Sequence, residues 1–351
     1  MDGLHIAVTG ATGNIGTSLI RLLSRDDRVA SVLGIAERVP QWHVAKTSFV
    51  GADLTEDDLA PLLEGRGAVV HLAWLMQPTR DPFTTWRTNV LGSKRLFDAV
   101  ARSGAKTLVH SSSVGAYSPR VDHRAVDETW PTDGWPGAAY TREKAYVERL
   151  LDLFEAANPE VRTARMRPAF VFKRKAAAEQ RRLFAGPLLP GRLVRPRLVP
   201  AMPVVDGVRF QAVHADDLAE AFRSVLFGTA SGAFNVAGES MTDMRAVAAM
   251  LGARPVPMPF AAARAALAAA WRARMVPAPP ELLDLIKRLP VMDTARVRRE
   301  LGWVSHHTAD EALGEFIAGL RTGAGGPTPP LQTEIEGGRL AEFATGVGQR
   351  P

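Results

Sequence analysis

Residues 5–24 constrain this chain more than any other stretch. His5-Ile6-Ala7-Val8 is a short apolar run of the kind that forms a buried strand. It enters Thr9-Gly10-Ala11-Thr12-Gly13-Asn14-Ile15-Gly16, after which Leu19, Ile20, Leu22 and Leu23 fall at helical spacing within Thr17–Ser24. A strand that passes through a glycine-rich turn straight into a helix lets backbone N–H groups approach an anion closely, and the helix dipole favours negative charge there. In that setting G-x2-G-x2-G reads as a turn for the pyrophosphate of a dinucleotide, one residue longer at its start than the more familiar G-x-G-x2-G. Gly10, Thr12, Gly13, Asn14, Ile15 and Gly16 are the residues expected against that group.

Further strands follow at regular intervals. Val29–Ile35 ends in Ala36-Glu37-Arg38, where a carboxylate would hold an adenosine ribose and an arginine would favour a 2′-phosphate. Glu37 and Arg38 therefore leave both NAD and NADP open. Thr47–Val50 leads to Asp53-Leu54, with Thr55 and Glu56 opening an acidic helix; Asp53 could accept from adenine or cap that helix. Ala68–Ala73 is a fourth strand, and Thr88–Ala101, carrying Asn89, is an amphipathic helix. Thr107–His110 is a fifth strand and ends in Ser111-Ser112-Ser113. A helix from Tyr140 to Asn158 precedes a sixth strand, Val161–Met166, which closes with Arg167-Pro168. Strand and helix alternating in this way predict an α/β fold, a doubly wound parallel sheet of Rossmann type. Ligands of such sheets bind at the carboxyl ends of the strands, where these motifs fall.

The periodic pattern dissolves after Phe172. Residues 1–171 read as the dinucleotide-binding domain, completed by about 211–237, where Leu218–Phe227 is helical and Ala233–Ala237 a late strand. Residues 172–210 and 238–320 read as a smaller, mostly helical substrate-binding lobe, and 321–351, rich in Gly, Pro and Thr, as a flexible tail. The chain has 351 residues, with 46% hydrophobic and 23% charged, enough for a large core. It has no cysteine, which excludes disulfides, thiolate metal sites and cysteine acid/base chemistry; no metal site is expected. No apolar run approaches the roughly 18 residues of a membrane helix, and no signal-peptide pattern opens the sequence, so a cytoplasmic protein is expected. The net charge of +6 is scattered rather than interleaved with aromatics, which argues against nucleic acid as a partner.

Tyr140 and Lys144 lie four apart and share one face of a helix. If that face looks into a cleft, the ammonium favours ionisation of the phenol and makes it usable in proton transfer. Together with Thr9–Gly16, Asp53-Leu54, His71-Leu72-Ala73, Asn89-Val90-Leu91-Gly92, Ser111-Ser112-Ser113, Arg167-Pro168 and Val213-His214-Ala215-Asp216-Asp217, this pair resembles, in order and over roughly residues 4–320, an extended short-chain dehydrogenase/reductase of the NAD-dependent epimerase/dehydratase family. The resemblance implies that Tyr140 is the catalytic acid/base, that Lys144 lowers its pKa and holds the nicotinamide ribose, and that Ser113 orients the substrate oxygen. It implies cofactor contacts at Arg38, Asp53, Leu54, Ala73, Ser111 and Pro168, a supporting role for Asn89, a small-molecule substrate and possible homodimers.

Local residues narrow the chemistry the resemblance allows. Val114-Gly115 follow Ser113 where the sugar dehydratases of this family carry an Asp-Glu pair, so elimination is not expected. What remains is hydride transfer between a nicotinamide and a secondary alcohol or ketone, with a nucleotide-sugar 4-epimerase holding NAD tightly as the alternative. Arg181, Arg182, Arg192, Arg195 and Arg197 could clamp a diphosphate, or could simply be a solvated face. Trp74, Met76, Phe83, Trp86, Trp130 and Trp135 flank the expected site and suggest an apolar pocket. A non-catalytic NAD(P)-sensing regulator is a second alternative, disfavoured by the retention of both Tyr140 and Lys144.

Overall fold

The computed structural model describes residues 3–187 and 199–334, together with 338, 341 and 347. Seven strands form the central sheet: β1 (Leu4–Thr9), β2 (Val29–Ala36), β3 (Thr47–Gly51), β4 (Ala68–His71), β5 (Thr107–Ser111), β6 (Arg162–Pro168) and β7 (Gly232–Val236). Their order is β7-β6-β5-β4-β1-β2-β3, with every neighbouring pair parallel. Ile6, Ala7, Val8, Val69, Val70, Leu108 and Val109 have no exposed surface, as expected where helices cover both faces of a sheet.

Four helices do most of that covering: α1 (Asn14–Leu23), α2 (Gly92–Ser103), α3 (Ala139–Ala157) and α4 (Ala215–Phe227). On one face Leu19, Ile20 and Leu23 of α1 share a cluster with Leu218, Phe222 and Val225 of α4. On the other, Leu96, Phe97 and Val100 of α2 meet Val147, Leu151 and Phe154 of α3. The strand order reverses between β1 and β4, so the glycine turn leaving β1 opens into the crevice where ligands of such sheets bind.

The second crossover differs from expectation. Among the described residues no helix joins β2 to β3, and after β3 the acidic stretch makes only the four-residue helix Ala60–Leu63. Carboxylates account for the short helix after β3. Asp53 accepts from the Thr55 N–H (2.7 Å), Asp57 from the Asp53 N–H (2.8 Å) and Asp58 from the Ala60 N–H (3.1 Å), local bonds that compete with a helical ladder.

The lobe is mostly helical, with short strands added. It contains a three-stranded sheet (170–172, 209–214, 241–243), a two-stranded one (201–204 with 254–257) and helices that include Phe260–Arg272, Glu281–Arg288 and Ala309–Thr322. Of the expected flexible tail, residues 321–334 are described and make specific contacts, while most of 335–351 lies outside the described residues. Thr328 and Leu331 are buried, and the Gly326 N–H donates to the Leu331 carbonyl (2.6 Å). Arg182 donates to the Pro330 and Gln332 carbonyls (2.6 and 2.8 Å), and the Thr328 hydroxyl donates to the Thr12 carbonyl (2.7 Å). A Gly- and Pro-rich composition hides partners this distant in sequence.

Candidate active site

The glycine turn has a different steric reason at each glycine. Gly10 has φ +68°, and a Cβ there would lie 2.6 Å from the Ala73 N, so the turn packs directly on the chain leaving β4. A Cβ on Gly16 would run into the backbone of Gly10 and Ala11, which presses α1 onto the turn. At Gly13 a Cβ would meet only the Gly10 carbonyl, at 3.6 Å, so the space above it is open. The first N–H groups of α1 have no partner within the helix. This cradle, open where a phosphate would sit and closed elsewhere, fits a dinucleotide pyrophosphate. Gly10, Gly13, Asn14, Ile15 and Gly16 line a cavity of about 520 Å³, while Thr12 is buried behind the turn.

The three serines after β5 have separate tasks. The Ser111 carbonyl accepts from Lys144 Nζ (2.9 Å), the Ser112 hydroxyl donates to Glu148 (2.6 Å), and Ser113 Oγ accepts from the Gly115 N–H (2.9 Å) and from the Tyr140 hydroxyl (2.8 Å). Tyr140 reaches Ser113 because Gly115 has no side chain; a Cβ there would lie 2.7 Å from the phenol ring. Ser111, Ser113, Tyr140, Lys144 and Pro168 all line the cavity that the glycine turn lines. Burial pushes the Tyr140 phenol up to about 12, against the Ser113 hydrogen bond, and Glu143 adds to the rise. Burial likewise pulls Lys144 down to about 7, against the pull of Glu148 and Glu143. The resemblance implied a lysine that lowers the phenol; the groups that act on the phenol here are Ser113 and Glu143, and it donates its hydrogen bond to Ser113.

Beneath this pair lies a layer of buried acids. Glu143 accepts from Thr85 Oγ1 (2.6 Å) and Asn89 Nδ2 (2.7 Å), and Asn89 also bonds both backbone groups of Leu75 (2.7 and 2.9 Å). Glu148, with no exposed surface, accepts from Arg165 (3.0 Å) and from Arg167 (2.9 and 3.0 Å). Hydrogen bonds and charge from Arg167, with Arg165, outweigh the cost of burial and hold its carboxyl near 2. The sequence carried a sign of this layer, since Glu143 and Glu148 interrupt the inward face of a helix and a buried acid needs partners.

The adenosine end is assembled from neighbouring strands. Ala36 pairs with Gly51, so Arg38 and Asp53 leave adjacent strand ends. Arg38 is exposed, Leu54 is buried, and one Asp53 oxygen is taken by the Thr55 N–H and hydroxyl (both 2.7 Å). Asp53 thus closes a turn rather than capping a helix. These three residues and Ala73 lie outside the cavity lining, although the Ala73 backbone abuts Gly10.

Only Trp74 and Met76 of the six expected pocket residues line the cavity; Phe83 is 85% exposed and Trp86 meets Tyr146 at a tilt instead. Phe170, Phe184, Trp271, Leu282, Leu285 and Leu289, most of them from the lobe, also line the cavity. Arg181 and Arg182 donate to the carbonyls of Gly186, Pro330 and Gln332, while Arg192, Arg195 and Arg197 lie outside the described residues. Asn14 and Gln180 also line the cavity; their amide groups both donate to the Val171 carbonyl (3.1 and 2.7 Å), leaving each side-chain oxygen buried without a partner. Glu179 beside them is raised by burial to about 7, against Lys173 and Arg182. Nothing in the sequence pattern singled out Glu179 or Gln180.

This fold is that of an extended short-chain dehydrogenase/reductase. A family model described as "NAD dependent epimerase/dehydratase family" matches residues 6–237, and the chain belongs to that family. Among characterised relatives, it is 31% identical over 175 residues to UDP-glucuronic acid decarboxylase 2 of Arabidopsis thaliana, covering 47% of this chain and 38% of that protein. It is 28% identical over 340 residues to UDP-glucose 4-epimerase of Mycolicibacterium smegmatis, covering 91% of this chain and 99% of the relative. For several other relatives, as for the decarboxylase, the chain spans half or less of their length. Among solved structures, UDP-glucuronic acid 4-epimerase from Bacillus cereus in complex with NAD superposes with a TM-score of 0.68 at 17% identity, over 91% of this chain and 99% of the other, a likeness of fold. Among the described residues no helix is long and apolar enough to cross a membrane.

Proposed function

We propose that this chain is an NAD-dependent 4-epimerase of nucleotide-linked sugars, with Tyr140 as acid/base, Ser113 as the group that orients the reacting oxygen and Lys144 as the cation beside them. The observation that carries the reading is the 2.8 Å bond from the Tyr140 phenol to Ser113 at the wall of a cavity that continues to the glycine turn. The full-length match to a UDP-glucose 4-epimerase favours this form over net oxidation or reduction. Bound NAD would take up a hydride from the substrate carbon and return it to that carbon's opposite face.

The side chains supply the proton steps. A substrate oxygen in reach of both hydroxyls accepts a hydrogen bond from Ser113 and exchanges its proton with Tyr140. As the alcohol becomes a ketone, its proton passes to the Tyr140 oxygen; on return, the phenol gives it back to the keto oxygen. The phenolate this requires is favoured by the Lys144 ammonium and opposed by burial. Val114 and Gly115 offer no acid for elimination, and both oxygens of Glu143 are occupied by Thr85 and Asn89. The phosphate contacts fall to the glycine turn, and the adenosine ribose to the strand ends carrying Glu37, Arg38 and Asp53.

Incubation with UDP-glucose and UDP-glucuronic acid, followed by NMR of the sugar C4 configuration and by absorbance at 340 nm, tests the proposal. Inversion without accumulation of reduced nicotinamide is expected; no turnover of any nucleotide sugar overturns it. A second reading, net oxidation or reduction of an apolar alcohol or ketone, is favoured by the wall of Phe170, Phe184, Trp271 and Leu282. Stoichiometric change in free nicotinamide with such substrates would select it. Homodimers through α2 and α3 are proposed as well, supported by the exposed Leu91, Tyr146 and Leu153.

A further inference from the structure

We propose that Trp74 is a positioning residue for Lys144, its indole face holding the ammonium as a cation beside the Ser111 carbonyl; the use made of that cation rests on the proposed function above. Lys144 Nζ lies 3.4 Å from the Trp74 ring centroid and 2.9 Å from the Ser111 oxygen, and the lysine is 4% exposed. A buried ammonium needs charge or dipoles in contact with it. Its helical neighbours are Tyr140, Glu143 and Glu148; the strands beneath contribute His71, His110 and, more distantly, Arg165. Burial keeps both histidines neutral, with Lys144 and other cations adding to it. Glu143 is occupied by Thr85 and Asn89, and Glu148 by Ser112 and two arginines. The ring face is then a principal contact of the ammonium, and the negative face of an indole is the strongest side-chain partner of its kind for a cation.

Trp74 is not held there by its own polar atom. Its indole N–H is buried without a partner, an arrangement a leucine would avoid, so the ring is retained for its face. That face is aimed by two constraints. Tyr140 meets the ring edge-to-face, at 5.9 Å and 78°. The backbone of Leu75, the next residue, is fixed at both its N–H and its carbonyl by Asn89. Asn89 is in turn bonded to Glu143, the residue before Lys144. Loop, ring and lysine are thereby set in one frame.

The test reads Lys144 directly. In protein carrying 13C-labelled lysine, the Cε resonance missing from Lys144→Arg identifies the residue, and its titration is followed in wild type, Trp74→Leu and Trp74→Phe. Removing the face should lower the titration midpoint by about 0.4–1.5 pH units, the range its attraction for a cation converts to. Trp74→Phe, which keeps a weaker face, should recover part of that shift. Calorimetry with NAD should show affinity lost at a correspondingly lower pH in Trp74→Leu. An unchanged Lys144 midpoint in a folded Trp74→Leu protein overturns the proposal, as does a phenylalanine variant no closer to wild type than the leucine variant. If the leucine variant does not fold, a lowered midpoint in Trp74→Phe supports the proposal and an unchanged one overturns it. A midpoint that moves while NAD binding and turnover stay constant supports the positioning role and counts against the role proposed for Lys144 in catalysis.

Discussion

Replacing Tyr140 with phenylalanine separates chemistry from structure. The substitution removes one oxygen and leaves the ring against Trp74 and over Gly115. It deletes the 2.8 Å bond to Ser113, but Ser113 Oγ keeps the Gly115 N–H at 2.9 Å, so no buried donor is stranded. The loss to stability should be about 0.5–1.5 kcal/mol, the net worth of one ordinary hydrogen bond, and the release of a phenol oxygen from burial offsets part of it. The loss to turnover should be much larger. Positioned acid/base groups contribute roughly 10²–10⁴-fold, or about 3–5 kcal/mol of barrier. Affinity for NAD by calorimetry should be nearly unchanged, because the glycine turn and strand ends are untouched. The informative measurement is therefore kcat for C4 inversion alongside urea unfolding and NAD titration on the same preparations. Turnover within tenfold of wild type would refute Tyr140 as the acid/base, and a matching collapse in stability would refute the claim that its hydroxyl is structurally minor.

Other perturbations probe the remaining parts of the site. Gly13→Val should abolish NAD binding by calorimetry while the protein still unfolds cooperatively, whereas Gly16→Val should fail to fold, because only the first side chain would enter open space. Glu148→Ala should destabilise by about 3–5 kcal/mol in urea, since it leaves Arg165 and Arg167 buried without their shared carboxylate. For wild type, the depressed Glu148 carboxyl contributes stability that is present above the ordinary glutamate range and is lost as pH falls toward about 2. Glu179 has the opposite sign: raised to about 7, it holds its proton in the fold, so its contribution is full at acid pH and is lost as pH rises toward 7. Glu179→Gln should raise the melting temperature at pH 8 and leave it nearly unchanged at pH 5; a uniform change would show that the group does not titrate as the structure requires.

The sequence showed most where short-range physics decides. β1, β4 and β5 are apolar runs of strand length, and the glycine turn is punctuated by residues whose missing side chains have local reasons. Tyr140, Lys144 and Ser113 were legible because one helix face and one strand end come together whenever the parallel sheet forms. The acidic stretch after β3 misled because Asp53, Asp57 and Asp58 bond nearby backbone more readily than they start a helix. The pocket wall was hidden because Phe184, Trp271 and Leu282 meet from segments with no shared period. Glu143 and Glu148 were visible as acids on an inward face, but their partners Thr85, Asn89, Arg165 and Arg167 come from other elements and needed coordinates.

The hydroxyl of Thr328 that braces the Thr12 carbonyl joins residues 316 apart. In synthesis the glycine turn thus precedes by 316 residues the hydroxyl that completes its contacts. Closing so long a loop has an entropic cost that is met only once the intervening sheet and lobe have drawn its ends together. A nascent chain can carry the whole dinucleotide motif and still lack the support behind it, so competence to hold cofactor should arrive late and abruptly during folding.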